Sequence, residues 1–399
     1  MKTSVMNLVP IFSCKKHYIF TSPIIFLFSV LLFLTLSCSE KSDLVAPVEE
    51  SSITMDVTFA PIEVKSTNGK VNLVYSVEVS NFDKEGYKIK DFQAYNVSGN
   101  SMICSIIDTG KYLLIHKPLQ ESLSDAFYYY AGMYYATYRF SIGLVLDPSQ
   151  VPQKIKHRLV LIKDGKEKII EGTETSVLKG PIAIMSAPLK GERFVSANTT
   201  TFLNNHHPTY QLTYKEKTTV PERFCVDWNK IDETGSPFHG DQSVCENWYV
   251  YGQNVYAVAD GIVVSVKDGM PDQSPVGTIS NDLNLFNSDG NSVVIYIPGG
   301  YCIYGHFKPN SIVVKTGQNI SKGDLIGQIG NSGNSGAPHL HFGLHTDFPY
   351  YISEGLPYYI DSLEKIGSTG KPGGPYVKLP GPEIHTNEIV ENYGVYNLK

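Results

Sequence analysis

The sequence predicts a mainly β protein of two domains, an immunoglobulin-like β-sandwich over residues 53–180 followed by an antiparallel β-sheet domain over 181–367. Three observations lead there. A chain of 399 residues exceeds one average core, at about 100–200 residues per domain. Apolar residues recur with period two over long stretches, and no long amphipathic helix interrupts them. Gly180-Pro181 and Ala187-Pro188 punctuate a boundary, after which turn residues become denser and histidines cluster.

The first 37 residues read as a secretory leader. Lys15, Lys16 and His17 precede an apolar run from Ile24 to Leu36 that ends at Ser37-Cys38, the order of a signal peptide's charged, apolar and cleavage regions. The run is short for a membrane span. Thr35-Leu36-Ser37-Cys38 resembles a lipobox, which implies a bacterial lipoprotein with a lipid anchor on Cys38, exported and held at the outer membrane on its periplasmic face or at the cell surface. Thr35 stands where Leu is usual, and an ordinary signal peptide or an uncleaved anchor is the other reading. Residues 38–52 are polar and acidic and read as a tether.

The sandwich rests on alternation. Val71, Leu73, Tyr75, Val77 and Val79 alternate with mostly polar neighbours, as do Tyr138, Phe140, Ile142, Leu144 and Leu146, a pattern of half-buried antiparallel strands. Asp164-Gly165 between two apolar runs predicts a tight hairpin, because both central positions of that turn want positive φ. Seven or eight such runs suit an immunoglobulin-like sandwich. The aromatic run Phe127 to Tyr130, with Met133 to Tyr135, reads as sheet packing before it reads as a binding face.

The second domain's predicted strands are Val255 to Ala259, Ile262 to Val266, Ser292 to Ile297, Tyr301 to His306, Asp324 to Ile329 and His339 to Leu344. Residues 368–399 read as a C-terminal extension, its Gly/Pro-rich part on the surface. Hydrophobic residues make up 42% and charged ones 18%, which excludes a disordered chain. Lys and Arg number 33 against 39 Asp and Glu, three of the lysines lie in the leader, and no basic stripe for nucleic acid is present. Beyond Cys38 lie Cys104, Cys225, Cys245 and Cys302. Export permits a disulfide, with Cys225–Cys245 the favoured pair and free buried thiols the other reading. None sits in a CxxC pair, which argues against a cysteine zinc site.

The densest chemistry lies in Ala337-Pro338-His339-Leu340-His341-Phe342-Gly343. On a strand, residues i and i+2 share a face, so His339 and His341 project together while Leu340 and Phe342 enter the core. Tyr304-Gly305-His306-Phe307 ends another strand with a third His, and Cys225-Val226-Asp227-Trp228 offers a carboxylate. A catalytic zinc site takes three N/O ligands and keeps one position open, so histidines and an Asp suit it.

These blocks, with Val255 to Gly261, Val314-Lys315-Thr316-Gly317, Lys322-Gly323 and Gly327 to Gly333, resemble the lysostaphin/LytM-type zinc endopeptidases over roughly residues 187–366. The resemblance implies a compact antiparallel β-sheet domain called a duplicated hybrid motif, one Zn²⁺ per chain, His341 and Asp227 as zinc ligands, and His306 and His339 as catalytic residues. It also implies peptide-bond hydrolysis, with peptidoglycan stem peptides or cross-bridges as substrate and a protein or peptide as the runner-up. One departure stands out. The family's first motif is HxxxD, but Arg223 lies four residues before Asp227 and cannot ligate zinc. A subset of the family looks like this chain, with Pro188-Leu189-Lys190-Gly191, then Asn204-Asn205-His206-His207, then Arg223 to Trp228. That likeness places the third ligand on His207, with His206 the alternative.

Other readings compete. His239 in Phe238-His239-Gly240-Asp241 is a rival ligand, but its Asp is two residues away and not four. His345 shares the face of His341 beyond the site, and His116, His157 and His385 read as surface residues. Gly327, Gly330, Gly333 and Gly336 serve tight turns and close backbone approach. At the level of function, the alternative is an inactive LytM-like domain that binds cell-wall peptides or activates a partner hydrolase. A lipoyl-type carrier is disfavoured, since no Lys sits at a hairpin tip and a carrier has no use for HxH.

Overall fold

The computed structural model describes residues 52–81, 85–105, 113–116, 137–200, 207–208, 210–214, 217–370 and 373–399. The leader, Cys38, the tether, His206 and the aromatic run near 127–135 lie outside the described residues. Regular structure is almost all strand, and the described helical pieces are three-residue 3-10 turns. None of the described residues form a helix long and apolar enough to cross a membrane.

Strands β1 (Thr54–Phe59), β2 (Val64–Lys65), β3 (Val71–Ser80), β4 (Lys88–Asn96) and β5 (Ser101–Ser105) open the first half. They are followed by β6 (Leu113–His116), β7 (Thr137–Leu146), β8 (Lys154–Lys163), β9 (Lys166–Glu171) and β10 (Thr175–Ser176). Two antiparallel sheets result: β1-β3-β7-β6 with β2 on β3, and β10-β8-β4-β5 with β9 on β8. Their inner faces bury one core, where Phe92 of β4 stacks on Phe140 of β7 at 4.6 Å. Asp164 and Gly165 take φ of 51° and 76°, the paired positive values that a two-residue hairpin between β8 and β9 requires.

One strand departs from simple alternation. β3 is buried on both faces, Asn72 and Ser76 included. The reason is that its outer side meets the second half of the chain. Val64 and Val74 share a cluster with Phe224 and Ile389, and Arg223 donates to Ser76 Oγ.

The second half runs through β11 (Ala183–Met185), β12 (Gly191–Ala197), β13 (Leu212–Tyr214), β14 (Lys217–Thr219), β15 (Val226–Lys230) and β16 (Asn254–Tyr256). Next come β17 (Gly261–Lys267), β18 (Asn291–Ile297), β19 (Gly300–Phe307), β20 (Asn319–Ile320), β21 (Leu325–Gln328) and β22 (Leu340–His345). The chain ends with β23 (Gly355–Leu356), β24 (Tyr358–Ile360), β25 (Leu363–Ser368), β26 (Val377–His385) and β27 (Gly394–Leu398). The six runs predicted as strands here appear as β16, β17, β18, β19, β21 and β22. A large antiparallel sheet follows the order β20-β17-β18-β19-β22-β15-β12-β27-β25-β26, with β23 beside β22.

The Gly/Pro-rich stretch expected on the surface leads into β26, which is largely exposed, and beyond it β27 lies between β12 and β25, with Val395, Tyr396 and Leu398 buried. Those side chains supply the apolar run that an inner strand needs. The favoured Cys225–Cys245 disulfide does not form. Both are free buried thiols, Cys225 packed beside Gly343 and Cys245 directed at the Gln273 carbonyl.

Candidate metal centre

Antiparallel pairing of β15 with β22 sets Asp227 directly opposite His341. Val226, Trp228, Leu340 and Phe342 point the other way into the core, so the two polar side chains meet on one face. His341 Nδ1 lies 2.9 Å from Asp227 Oδ1. His207 reaches the same carboxylate from the loop before β13, its Nε2 3.5 Å from Asp227 Oδ2. One donor atom from each of His207, Asp227 and His341 falls within 4.8 Å of the others, and all three residues are buried. Two imidazoles and a carboxylate around one point suit a divalent transition metal such as zinc.

His306 and His339 flank this trio. On the far side of β22, Gly305 of β19 pairs with His341, so His306 follows at the end of the strand. There it takes φ of +65°, a left-handed value that costs a non-glycine residue roughly 1–3 kcal/mol. Its backbone N–H donates to Asp289 O at 2.9 Å, and its Nδ1–H donates to Ser332 O at 2.7 Å. Ser332 is held in turn by close backbone crossing. Gly290 and Gly333 have φ of +63° and +75°, and a Cβ on either would strike backbone of the facing segment. His339, just ahead of β22, donates from Nδ1 to Ala337 O at 2.8 Å, and its ring centre lies 4.7 Å from that of His306.

Hydrogen bonds fix the tautomers. Nδ1–H donation to Cys225 O at 3.2 Å, Ser332 O and Ala337 O leaves the Nε2 lone pairs of His207, His306 and His339 for the site. Charges follow. Burial works against ionisation of Asp227, but the His207 and His339 imidazoles and the His341 hydrogen bond outweigh it and hold the carboxyl well below its usual range. Burial, reinforced by His339 and His341, pushes His306 well below an ordinary histidine. The five side chains line a cleft of about 840 Å³, walled also by Tyr210, Asp289, Asn334 and Tyr350.

Residues 248–351 match the model of peptidase family M23. The chain carries an M23 peptidase domain. The matched span of that domain takes in His306, His339 and His341, whereas His207 and Asp227 precede it. Similar solved structures include a putative peptidase M23 from Pseudomonas aeruginosa, 12% identical over 70% of this chain and 92% of that one, with a TM-score of 0.24. The lysostaphin catalytic domain from Staphylococcus simulans is 21% identical over 31% of this chain and 86% of that one, TM-score 0.19. A zinc-containing peptidase from Vibrio cholerae is 15% identical over 72% and 81%, TM-score 0.21. No curated protein matches.

Among the remaining candidates, His239 is exposed, rests on the Tyr249 ring and joins no donor cluster among the described residues. His345 is buried behind His341. Contrary to the surface reading, His157 is buried in the sandwich against Tyr75, with Tyr75 Oη 2.9 Å from its Nε2. His385 pairs with Glu388. His116 lies on β6. The sequence reading missed Asn198, whose Nδ2 donates to Asp227 Oδ2 at 2.7 Å. Only the pairing of Ala197 with Asp227 across β12 and β15 brings it there, and no local motif announces it.

Proposed function

We propose that the chain is an exported zinc metalloendopeptidase, anchored through Cys38 at the outer membrane, that hydrolyses peptide bonds in peptidoglycan stem peptides or cross-bridges. The observation that carries the reading is the convergence of His207, Asp227 and His341 on one point, with two further histidines whose Nε2 atoms are left unprotonated beside it. The M23 domain match supports peptide-bond chemistry. The leader and lipobox support export and anchoring, and that compartment supports a cell-wall substrate.

His207, Asp227 and His341 would hold zinc, and Asn198 fixes the carboxylate through Oδ2. Bound zinc supplies Lewis acidity and lowers the pKa of water to ~7. His306 is set up as the base: burial keeps it neutral, Ser332 O fixes its tautomer, and its Nε2 can take the proton that water loses on attacking the scissile carbonyl. His339, held by Ala337 O and less buried, faces the same space with its ring 4.7 Å from that of His306, and its Nε2 lone pair can receive that proton from His306 and pass it to the departing amine. The open cleft between Tyr210 and Tyr350 accepts an extended peptide.

Purified protein incubated with muropeptides, with and without a chelator, tests the proposal by mass spectrometry. New termini at a peptide bond that vanish with chelator support it. Intact muropeptides with zinc-loaded protein would instead favour the wall-binding alternative.

A further inference from the structure

Asp289 lines the cleft and takes no part in the steps above. It lies on the loop that enters β18, where Asn291 pairs with Phe307, so the loop crosses the end of β19 beside His306. The crossing is clamped on both sides of Asp289. Asp289 O accepts the His306 N–H at 2.9 Å, Ser288 O accepts the Asn334 N–H at 2.7 Å, and Ser288 Oγ shares a 2.7 Å hydrogen bond with Tyr350 Oη. Gly305, which pairs with His341, puts no side chain in between: a Cβ at 305 would stand 3.5 Å from His341 Cβ and 3.8 Å from Asp289 Cβ. Asp289 is thus held on fixed backbone beside the proposed ligand His341.

The carboxylate itself lacks a partner. Among the described residues nothing donates a hydrogen bond to it and no cation forms an ion pair with it. It joins neither donor cluster at the metal centre. Burial pushes its pKa up, and the charges of His341 and Lys267 oppose that shift. The Lys267 ammonium, however, donates to Phe286 O at 2.8 Å. A half-buried carboxylate with no donor is a cost to the folded chain, and such exceptions call for a reason. The rest of the wall has the same sign. Neither Lys nor Arg lines the cleft among the described residues, whereas Glu222 and Asp227 line it together with Asp289. Charge complementarity therefore asks for a cation from the substrate, and Asp289 has acceptor oxygens to receive it.

We propose that Asp289 is a specificity-determining residue that accepts a hydrogen bond from a primary ammonium group of the peptide substrate, carried on a residue close to the scissile bond. An ammonium is a compact cation that can turn any of three donors to one carboxylate. An acidic side chain in the same place would be repelled, and an apolar one would seal the carboxylate away from water without a donor. The inference rests on the reading of the cleft as a peptide-cleaving site and names the side-chain chemistry that this site selects.

Muropeptides with a free side-chain amine, compared with the same muropeptides acetylated by acetic anhydride, test it on the full chain. For the wild type, acetylation should lower kcat/KM about 10- to 100-fold, the usual worth of a hydrogen bond to a charged group. Asp289→Asn should lose a similar factor on the free amine and should treat the two forms alike, while elemental analysis still finds about one zinc per chain, since Asp289 is outside the donor clusters. A wild-type chain that cuts both forms equally overturns the proposal. So does an Asp289→Asn chain that keeps the wild-type preference, or one that is zinc-replete and loses cleavage of both forms by the same factor. A wild-type chain that cuts neither form removes the hydrolase reading, a separate failure, and calorimetric affinities for the two muropeptides then decide. Binding that weakens on acetylation in the wild type but not in Asp289→Asn supports the ammonium contact, and equal binding overturns it.

Discussion

At the residue scale the proposed roles separate into two classes that metal content distinguishes. Asp227, His207 and His341 share donor atoms around one point, so Asp227→Ala, His207→Ala and His341→Ala should lose both zinc and turnover. His306→Ala and His339→Ala leave that trio whole. They should retain about one zinc per chain while cleavage falls by about 10²–10⁴, the range for a lost general acid or base. His239→Ala, on an exposed loop, should keep both. Elemental analysis beside a cleavage assay reads all six variants, and a zinc-replete His207→Ala chain would remove that residue from the ligand set. Zinc affinity should also fall as pH drops, because imidazoles must shed protons to ligate. His339 and His341 were legible in the sequence, since a strand's period of two is short-range and needs no knowledge of the fold. His207 was reached only through a resemblance, because its approach to Asp227 depends on the path of a loop. Asn198 was not legible at all, for it meets Asp227 only once β12 and β15 pair.

At the element scale, register does the positioning. β22 lies between β15 and β19, so one residue of slip on either side would turn Asp227 or His306 away from His341. The alternation that predicted these strands also fixes which face each side chain takes, and for that reason the peptidase half was readable before its pairing was known. β27 was not readable as an inner strand. It is five residues long, follows a Gly/Pro-rich stretch, and finds its partners β12 and β25 at very different sequence distances. Its burial makes a prediction. Removing residues 394–399 would open the sheet between β12 and β25 and expose β12, the neighbour of the ligand-bearing β15. The truncated chain should unfold at clearly lower temperature, and its zinc affinity should fall with its stability. Thermal unfolding and chelator competition on the same sample check both. A truncation that melts like the full chain would show that β27 is dispensable.

At the scale of the whole molecule, the sandwich and the peptidase half are joined by buried charge. Arg223 stands where the family's first motif has a histidine, and here it is an interface residue: it ion-pairs with Glu354 at 2.8 Å, bonds Ser76 Oγ at 3.0 Å and lies 4.1 Å over the Phe59 ring. Arg139 of the sandwich reaches the other oxygen of Glu354 at 3.0 Å. Sequence patterns could not reveal this, because each partner is an ordinary charged residue until the halves dock. Burial opposes ionisation of Glu354, but Arg223 and Arg139 outweigh it and hold its pKa below the usual value. Its stabilisation is therefore complete above the unfolded carboxyl's pKa near 4.5 and is lost as pH falls through the lower folded value. Deeper in the sandwich, burial lowers His157 from 6.5 to about 4. A histidine with a lowered folded pKa binds more protons unfolded, so this contribution, roughly 3 kcal/mol, is present above pH 6.5 and disappears between 6.5 and 4. Acid should thus weaken the sandwich first and the interface afterwards. Chemical denaturation across pH 7 to 4 should show stability falling through that window, and in His157→Phe the slope between 6.5 and 4 should flatten, whatever the variant's absolute stability. Glu354→Gln leaves two buried guanidinium groups facing a neutral amide, a change that costs about 3–5 kcal/mol when a buried pair is broken. Because Glu354 serves both halves, calorimetry of Glu354→Gln should show the sandwich and the peptidase half losing stability together. A variant in which one half melts earlier while the other keeps its wild-type transition would mean that the buried charges serve one half alone and that the two fold independently.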